Sequence, residues 1–272
     1  MPPQLSTLAL LLVASLSLTA QTIPENSKAQ KQDAIVDKYL KNGAWKFHMY
    51  SEEWQRHIDL GLKEDSTIAY LWQQKAMPLY KQKRYQEGLP FLNKAVRYNR
   101  TAYLPYRGFM KCIFSKDYTG AIEDFSACIQ EFGNSYVMDH SYRFYSALAY
   151  LQLKEFSKAE ALLKIDTEEV SKSRGETWVH HLDVLYLGIA QLELANFHDA
   201  IRTFDKALKL YPQFSEAHYY KSLAQKATGD RNHSATRQLA RKFFDEGHTI
   251  NEDNAIYEKY PYQPTAASFN AP

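Results

Sequence analysis

Glycine and proline are scarce in this chain, 10 of each among 272 residues. That scarcity excludes a turn-rich all-β protein, and no Gly/Ser-rich or Pro-rich stretch divides the interior into two globular units. Charge of one sign is lacking too. With 33 Lys and Arg against 31 Asp and Glu, and no run of five or more like charges, the sequence offers neither a nucleic-acid-binding arm nor a polybasic membrane patch. There is no Gly-rich phosphate loop, no His-Glu-x-x-His and no Gly-x-Ser-x-Gly. The common motifs for phosphate binding, zinc hydrolysis and serine nucleophiles are therefore missing. Long hydrophobic runs are absent beyond Leu5 to Leu18, fourteen residues of Leu, Ala, Val, Ser and Thr. A bilayer span needs about 20 residues, so this run suits the hydrophobic region of a secretory signal instead.

That signal is expected to occupy residues 1–20, with cleavage after Ala20 or after Ser17, which has the better small-x-small context. No Lys or Arg precedes the run, and a misassigned start or a disordered tail is the alternative. Neither cleavage site is followed by Cys, which argues against a lipid anchor. The expected setting is the periplasm or the exterior of a bacterial cell. Only two cysteines are present, Cys112 and Cys128. In an oxidising compartment a bridge between them is allowed, but each occupies a slot where a small apolar residue packs, and two buried thiols are the favoured reading.

What is abundant is apolar and aromatic surface: 45% of residues are hydrophobic, with 20 Tyr and 14 Phe. It is distributed periodically. Leu187, Gly188, Ala200, Phe204, Ala207 and Pro212 outline two antiparallel helices, and the pattern of the second helix recurs upstream. Its copies are Gly88, Leu92 and Ala95; then Ala121, Phe125 and Cys128; then Ala159, Leu163 and Asp166. A polar residue followed by an aromatic precedes each: Arg84-Tyr85, Asp117-Tyr118, Glu155-Phe156 and Asn196-Phe197. The anchors Gly88, Ala121, Ala159 and Ala200 stand 33, 38 and 41 residues apart. Helical arrays absorb such extra residues in loops between repeats.

Small residues at these positions let two helices approach closely, while the aromatic fills space between neighbouring units. Units are expected at 69–101, 102–135, 140–173 and 181–214, with degenerate ones at 35–68 and 215–248, about six in all. Residues 21–34 are expected to be a linker. Residues 249–272 should form a cap, with a short helix ended by Pro261 over the last core face, followed by a disordered tail from Thr265. A lone hairpin of this size buries too little, so stacking is obligatory.

The pattern resembles the tetratricopeptide repeat family, most clearly in Val184, Leu187, Gly188, Gln191, Ala200, Phe204, Ala207 and Pro212. A second copy reads Trp72, Ala76, Leu79, Gly88, Leu92 and Ala95. The resemblance implies an all-α, right-handed α-solenoid of stacked antiparallel helix pairs, whose first helices line a concave groove. Here the groove positions are Tyr70, Gln73, Met77, Tyr103, Tyr106 and Met110 in the N-terminal half. Those in the C-terminal half are Phe144, Leu148, Leu185, Ile189, Tyr219 and Leu223. Tyr and Met at such positions suit broad apolar contact with polar handles. Relatives that clamp a peptide carboxylate use Lys and Asn, whereas the matching slots here hold Gln73, Met77, Tyr106 and Met110. An extended or helical apolar segment is the better expectation.

Chemistry beyond binding finds little support in the residues. His180 and His181, with Asp183 nearby, are adjacent on a helix and point about 100° apart, so no metal site is assigned. No cofactor is implied. Glu168-Glu169 and Glu252-Asp253 are expected on solvent faces. The tripeptides Asn99-Arg100-Thr101 and Asn232-His233-Ser234 match the glycosylation pattern at about the frequency chance provides. The expected function is a non-enzymatic scaffold or adaptor that binds a protein or peptide, without nucleic acid and without a membrane span in the mature chain. The alternatives are an envelope hydrolase with an unrecognised site and a purely structural spacer.

Overall fold

The computed structural model describes residues 25–269. The signal reading for residues 1–20 lies outside the described residues. Glu25–Val36 form helix α1, which widens into a looser turn at Asp37–Lys41. The linker expected to residue 34 is therefore helical from Glu25 onward. Ile35 and Leu40 anchor it on Trp54, Ile58, Leu62 and Leu71, and Gln32 Nε2 donates to Asp65 at 2.8 Å.

Ten of the eleven helices that follow pair in sequence: α3 (Ala69–Lys81) with α4 (Tyr85–Tyr98), and α5 (Arg100–Phe109) with α6 (Tyr118–Phe132). Then α7 (Tyr142–Gln152) pairs with α8 (Phe156–Arg174), α9 (His181–Glu193) with α10 (Phe197–Leu210), and α11 (Ser215–Thr228) with α12 (His233–Asp245). Helix α2 (Glu52–Glu64) packs on α3 and on the loose turn that ends α1. Each pair packs against the next, giving an all-α solenoid. The exception among the described residues is a hairpin of two-residue strands, Tyr136–Val137 and His140–Ser141.

The turn inside each pair is built the same way. Arg84 N donates to Leu79 O, Glu155 N to Tyr150 O, Asn196 N to Gln191 O and Asp230 N to Gln225 O, all at 2.8–2.9 Å. A bond spanning five residues closes a helix through a left-handed residue just before the donor. That residue is Lys83 (φ 63°), Lys154 (φ 61°), Ala195 (φ 58°) or Gly229 (φ 74°). Lys116 (φ 57°) does the same after a looser last turn at Met110–Ser115. Side chains cap several helix starts: Ser51 accepts from Trp54 N, Asn99 from Ala102 N, Asp117 from Gly120 N and Ser141 from Phe144 N.

Glycine is required where an aromatic ring lies flat on a helix backbone. A Cβ on Gly188 would stand 2.5 Å from the Phe204 ring, and one on Gly88 would stand 2.6 Å from Tyr80. Phe204 thus seats within its own pair and also stacks on Tyr220 of the next, centroids 6.3 Å apart. Two departures from the family pattern are explained by hydrogen bonds. Gln191, in the slot usually held by Tyr, accepts from Thr203 Oγ1 at 2.7 Å. Asp166, in a small-residue slot, accepts from Ser141 Oγ at 2.5 Å and from Asn134 Nδ2 at 3.1 Å. The extra residues between anchors go into the hairpin before α7 and into the 19-residue helix α8. Cys112 and Cys128 are both fully buried free thiols. Burial pushes each up to about 12, which keeps both protonated and unreactive.

The largest difference from expectation is the C-terminal segment. No helix forms between Thr249 and Pro261. After α12 the backbone turns at Gly247 (φ 83°) and runs back over the first helices of the pairs rather than over the end of the stack. The reason is that unpaired groups are available there: Ser215 N, at the start of α11, donates to His248 O at 2.9 Å. The expected disordered tail is also ordered as far as the described residues reach. Ala266–Phe269 form a short turn fixed by Arg237 donating to Ser268 O at 2.6 Å and by Phe269 on Tyr219 and Phe244.

Candidate functional site

The first helices α5, α7, α9 and α11 each place a tyrosine two residues before the small residue at their close approach. These are Tyr106, Tyr145, Tyr186 and Tyr220, preceding Gly108, Ala147, Gly188 and Ser222. Helical geometry puts the four on one side of the stack. Tyr186 OH donates to Pro261 O at 2.7 Å, and Tyr220 OH donates to Tyr262 O. Tyr106 OH accepts from Gln73 Nε2 at 3.1 Å. Tyr145 is buried in the same core cluster as Tyr260 and Ile250 of the C-terminal segment.

The segment runs out along this face and returns. On the way out, Ile250 N donates to Glu216 Oε1 at 3.0 Å, and Glu252 meets His140 Nε2 at 3.4 Å. At the far end Tyr257 lies under Lys81 Nζ, 4.5 Å from the ring centroid. There Glu258 accepts from Tyr85 OH and sits between Lys83 Nζ (3.4 Å) and Lys116 Nζ (3.9 Å). Lys116 Nζ also donates to Lys259 O at 2.7 Å. The return path carries Tyr260 and Pro261 into the interior and Tyr262 onto Tyr220.

His140 is the electrostatic hub. Its Nδ1 faces Asp183 Oδ1 at 3.0 Å, its Nε2 faces Glu252, and its ring stacks on Phe144 with centroids 3.8 Å apart. Burial alone would lower this imidazole, but hydrogen bonds with Asp183 and Glu252 outweigh it and hold the group up to about 9. At neutral pH His140 is a cation bridging two carboxylates. Burial, with His180 beside it, pushes His181 down to about 4. Burial also pushes Glu216 up to about 7, although its Oε1 accepts a backbone N–H; its Oε2 is buried without a partner. Ligand atoms of His140, His180 and Asp183 lie within 4.8 Å of one another, near enough for a divalent ion to draw in. Both nitrogens of His140 already face carboxylates, so the group is satisfied without one.

Of the twelve positions expected on the groove, Met110, Phe144, Leu148, Leu185 and Ile189 are at most 2% exposed. Gln73 is buried beside Gln74, whereas Tyr70, Met77, Tyr103, Tyr106, Tyr219 and Leu223 are half-buried. Reasoning from sequence missed Tyr145, Tyr186 and Tyr220, although their fixed place before each small residue was a legible signal. It also missed His140, Glu216, Lys83 and Lys116, which no local pattern marks. Glu252, expected on a solvent face, is drawn inward by His140 because an opposite buried charge outweighs its hydration.

Open clefts lie elsewhere. One of about 660 Å³ opens between the end of α8 and α10 and is lined by Glu168, Lys172, Lys206 and Lys209 among others. His140, His181 and Glu216 are not among its lining residues.

These features define a class, the helical-repeat solenoid of tetratricopeptide type. Residues 185–230 match the tetratricopeptide repeat family model, and the fold of the whole array is that of tetratricopeptide repeat solenoids. No curated protein sequence matches it. Among solved structures it is similar to PilW, a type IV pilus biogenesis factor, at 13% identity and a TM-score of 0.58, over 81% of this chain and 95% of that one. A tetratricopeptide repeat protein from Parabacteroides merdae aligns at 13% identity and a TM-score of 0.59, over 80% and 88% of the two chains. YrrB, described as having an unusual peptide-binding site, aligns at 14% identity and a TM-score of 0.51, over 70% and 93%. At these identities the likeness is one of fold. Proteins of this class are in general interaction scaffolds.

Proposed function

We propose that this protein is an exported, non-enzymatic scaffold that holds a non-helical segment of a protein partner on the first-helix face. One observation carries this reading. That face already holds a non-helical, turn-rich stretch of chain, its own residues 248–262, through tyrosine hydroxyls donated to main-chain carbonyls. A surface that pairs with backbone carbonyls is suited to non-helical peptides of varied sequence. The half-buried Tyr70, Met77, Tyr103 and Tyr106 continue the face toward the N-terminal repeats. Replacing Tyr103 and Tyr106 together by Ala is expected to reduce capture of the native partner by at least tenfold, with helicity by circular dichroism unchanged. Undiminished capture would exclude the face.

Export is supported by the run Leu5 to Leu18. Among the described residues no helix is long and apolar enough to cross a membrane. Mass spectrometry of the protein recovered from its native host is expected to find a mature N-terminus at Leu18 or Gln21. An intact Met1 on protein from the cytoplasmic fraction would overturn this part of the reading.

A further inference from the structure

We propose that residues 248–269 are a built-in, exchangeable occupant of the first-helix face, displaced by a partner presenting a like segment, with a carboxylate two residues before an aromatic-Pro-aromatic turn. The inference rests on the reading of that face given above and specifies the partner.

The contacts fall into two kinds. Tyr186, Tyr220 and Lys116 donate to main-chain oxygens of Pro261, Tyr262 and Lys259, and any chain that takes the same turn supplies those acceptors. Side-chain recognition is concentrated at one place: Tyr85, Lys83 and Lys116 surround Glu258, and two residues on Tyr260 is 3% exposed. Proline between two tyrosines favours the turn that follows, in which Gln263 N donates to Tyr260 O at 3.2 Å and Tyr262 is left-handed (φ 58°).

Three observations mark the segment as exchangeable rather than part of the solenoid. Thr249 to Pro264 form no helix or strand of their own, only isolated turns such as Ala255 N to Glu252 O and Gln263 N to Tyr260 O, so the segment is held mainly by the face beneath it. Its fit is incomplete, because Glu216 Oε2 beneath it is buried without a partner and Ile256 on its outer side is 81% exposed. The apolar floor that Ile250 and Tyr260 join, including Phe144, Leu148, Leu185 and Ile189, is at most 1% exposed. Baring that floor to water is costly, so replacement by a like segment is favoured over simple opening.

The test uses the full chain and a labelled peptide with the sequence of residues 252–265. A chain carrying Glu258→Ala and Tyr260→Ala, which weakens the internal occupant, is expected to bind this peptide at least tenfold more tightly than the wild-type chain. A peptide with the same two substitutions should bind neither. As a check that needs no variant, saturating peptide should speed tryptic cleavage of the wild-type chain after Lys259 several-fold. Equal affinity for both chains, or unchanged cleavage, would overturn the proposal. So would dimerisation of the variant at micromolar concentration, which makes a second copy the occupant. If native-partner capture depends on Tyr103 and Tyr106 while the tail variant captures no more than wild type, the face reading stands and this proposal fails.

Discussion

Ala195 holds a left-handed backbone, φ 58°, with its side chain in solvent. A Cβ there costs roughly 1–2 kcal/mol, partly offset by the extra unfolded-state freedom glycine brings. Ala195→Gly is therefore expected to stabilise the protein by about 0.5–1 kcal/mol, read from the denaturation midpoint at unchanged slope. A destabilised variant would mean the turn is not held as described. Glu216 makes a second residue-level case. Its folded carboxyl keeps its proton up to about pH 7, while the unfolded side chain loses it near 4.5. The folded state thus binds the extra proton across that window, and stability falls as pH rises through it. Glu216→Gln keeps an acceptor for Ile250 N–H and cannot ionise. Its stability relative to wild type should rise by on the order of 2–3 kcal/mol between pH 4.5 and 7.5; a constant difference in melts at the two pH values would refute this. Neither residue was legible beforehand. The left-handed position follows from a bond between main-chain groups five residues apart, which a Lys or Ala does not advertise. Glu216 reads as an ordinary surface glutamate until Ile250 is placed over it.

Within the helix pair, the sequence was far more transparent. Gly188, Ala200 and Phe204 recur in kind because the close approach of two helices imposes the same steric demand in every unit. Gly188→Ala tests it. Alanine is favoured over glycine in a helix by about 1 kcal/mol, yet its Cβ would stand 2.5 Å from the Phe204 ring. Overpacking should win, with net destabilisation of about 1–3 kcal/mol in chemical denaturation, largely relieved by adding Phe204→Leu. A stabilised Gly188→Ala would show that the ring does not rest on that backbone. The pairs also account for the pattern's irregularities. Asp166 and Gln191 break the expected residue types because Ser141, Asn134 and Thr203 supply hydrogen bonds to them. Those partners are 12–32 residues away and carry no motif.

Across the molecule, the first-helix face is an interior surface, closed by a segment that begins beyond the last helix pair. Tyr85 and Glu258 are 173 residues apart, as are the other contacts at that end by similar margins. His140 joins the hairpin before α7 to Asp183 on α9 and Glu252 on the returning chain. A protonated imidazole between two carboxylates ties three parts of the chain together. That attachment is complete below the ordinary histidine range and is lost as pH rises through about 9. The same grouping bears on His180 and His181, prominent in the sequence: their own burial, with charge repulsion from neighbouring imidazoles, lowers both below the ordinary histidine range.

The amino-acid sequence alone determined the all-α repeat architecture. Each repeat solves the same short-range packing problem, and a problem solved several times leaves a period that can be read. Tertiary structure alone decided that the inner side is occupied, that Glu252 and Glu258 belong to it, and that tyrosine hydroxyls hold its occupant. Those contacts are made once, between distant parts of the chain and largely to main-chain oxygens, which every residue carries and no sequence pattern distinguishes.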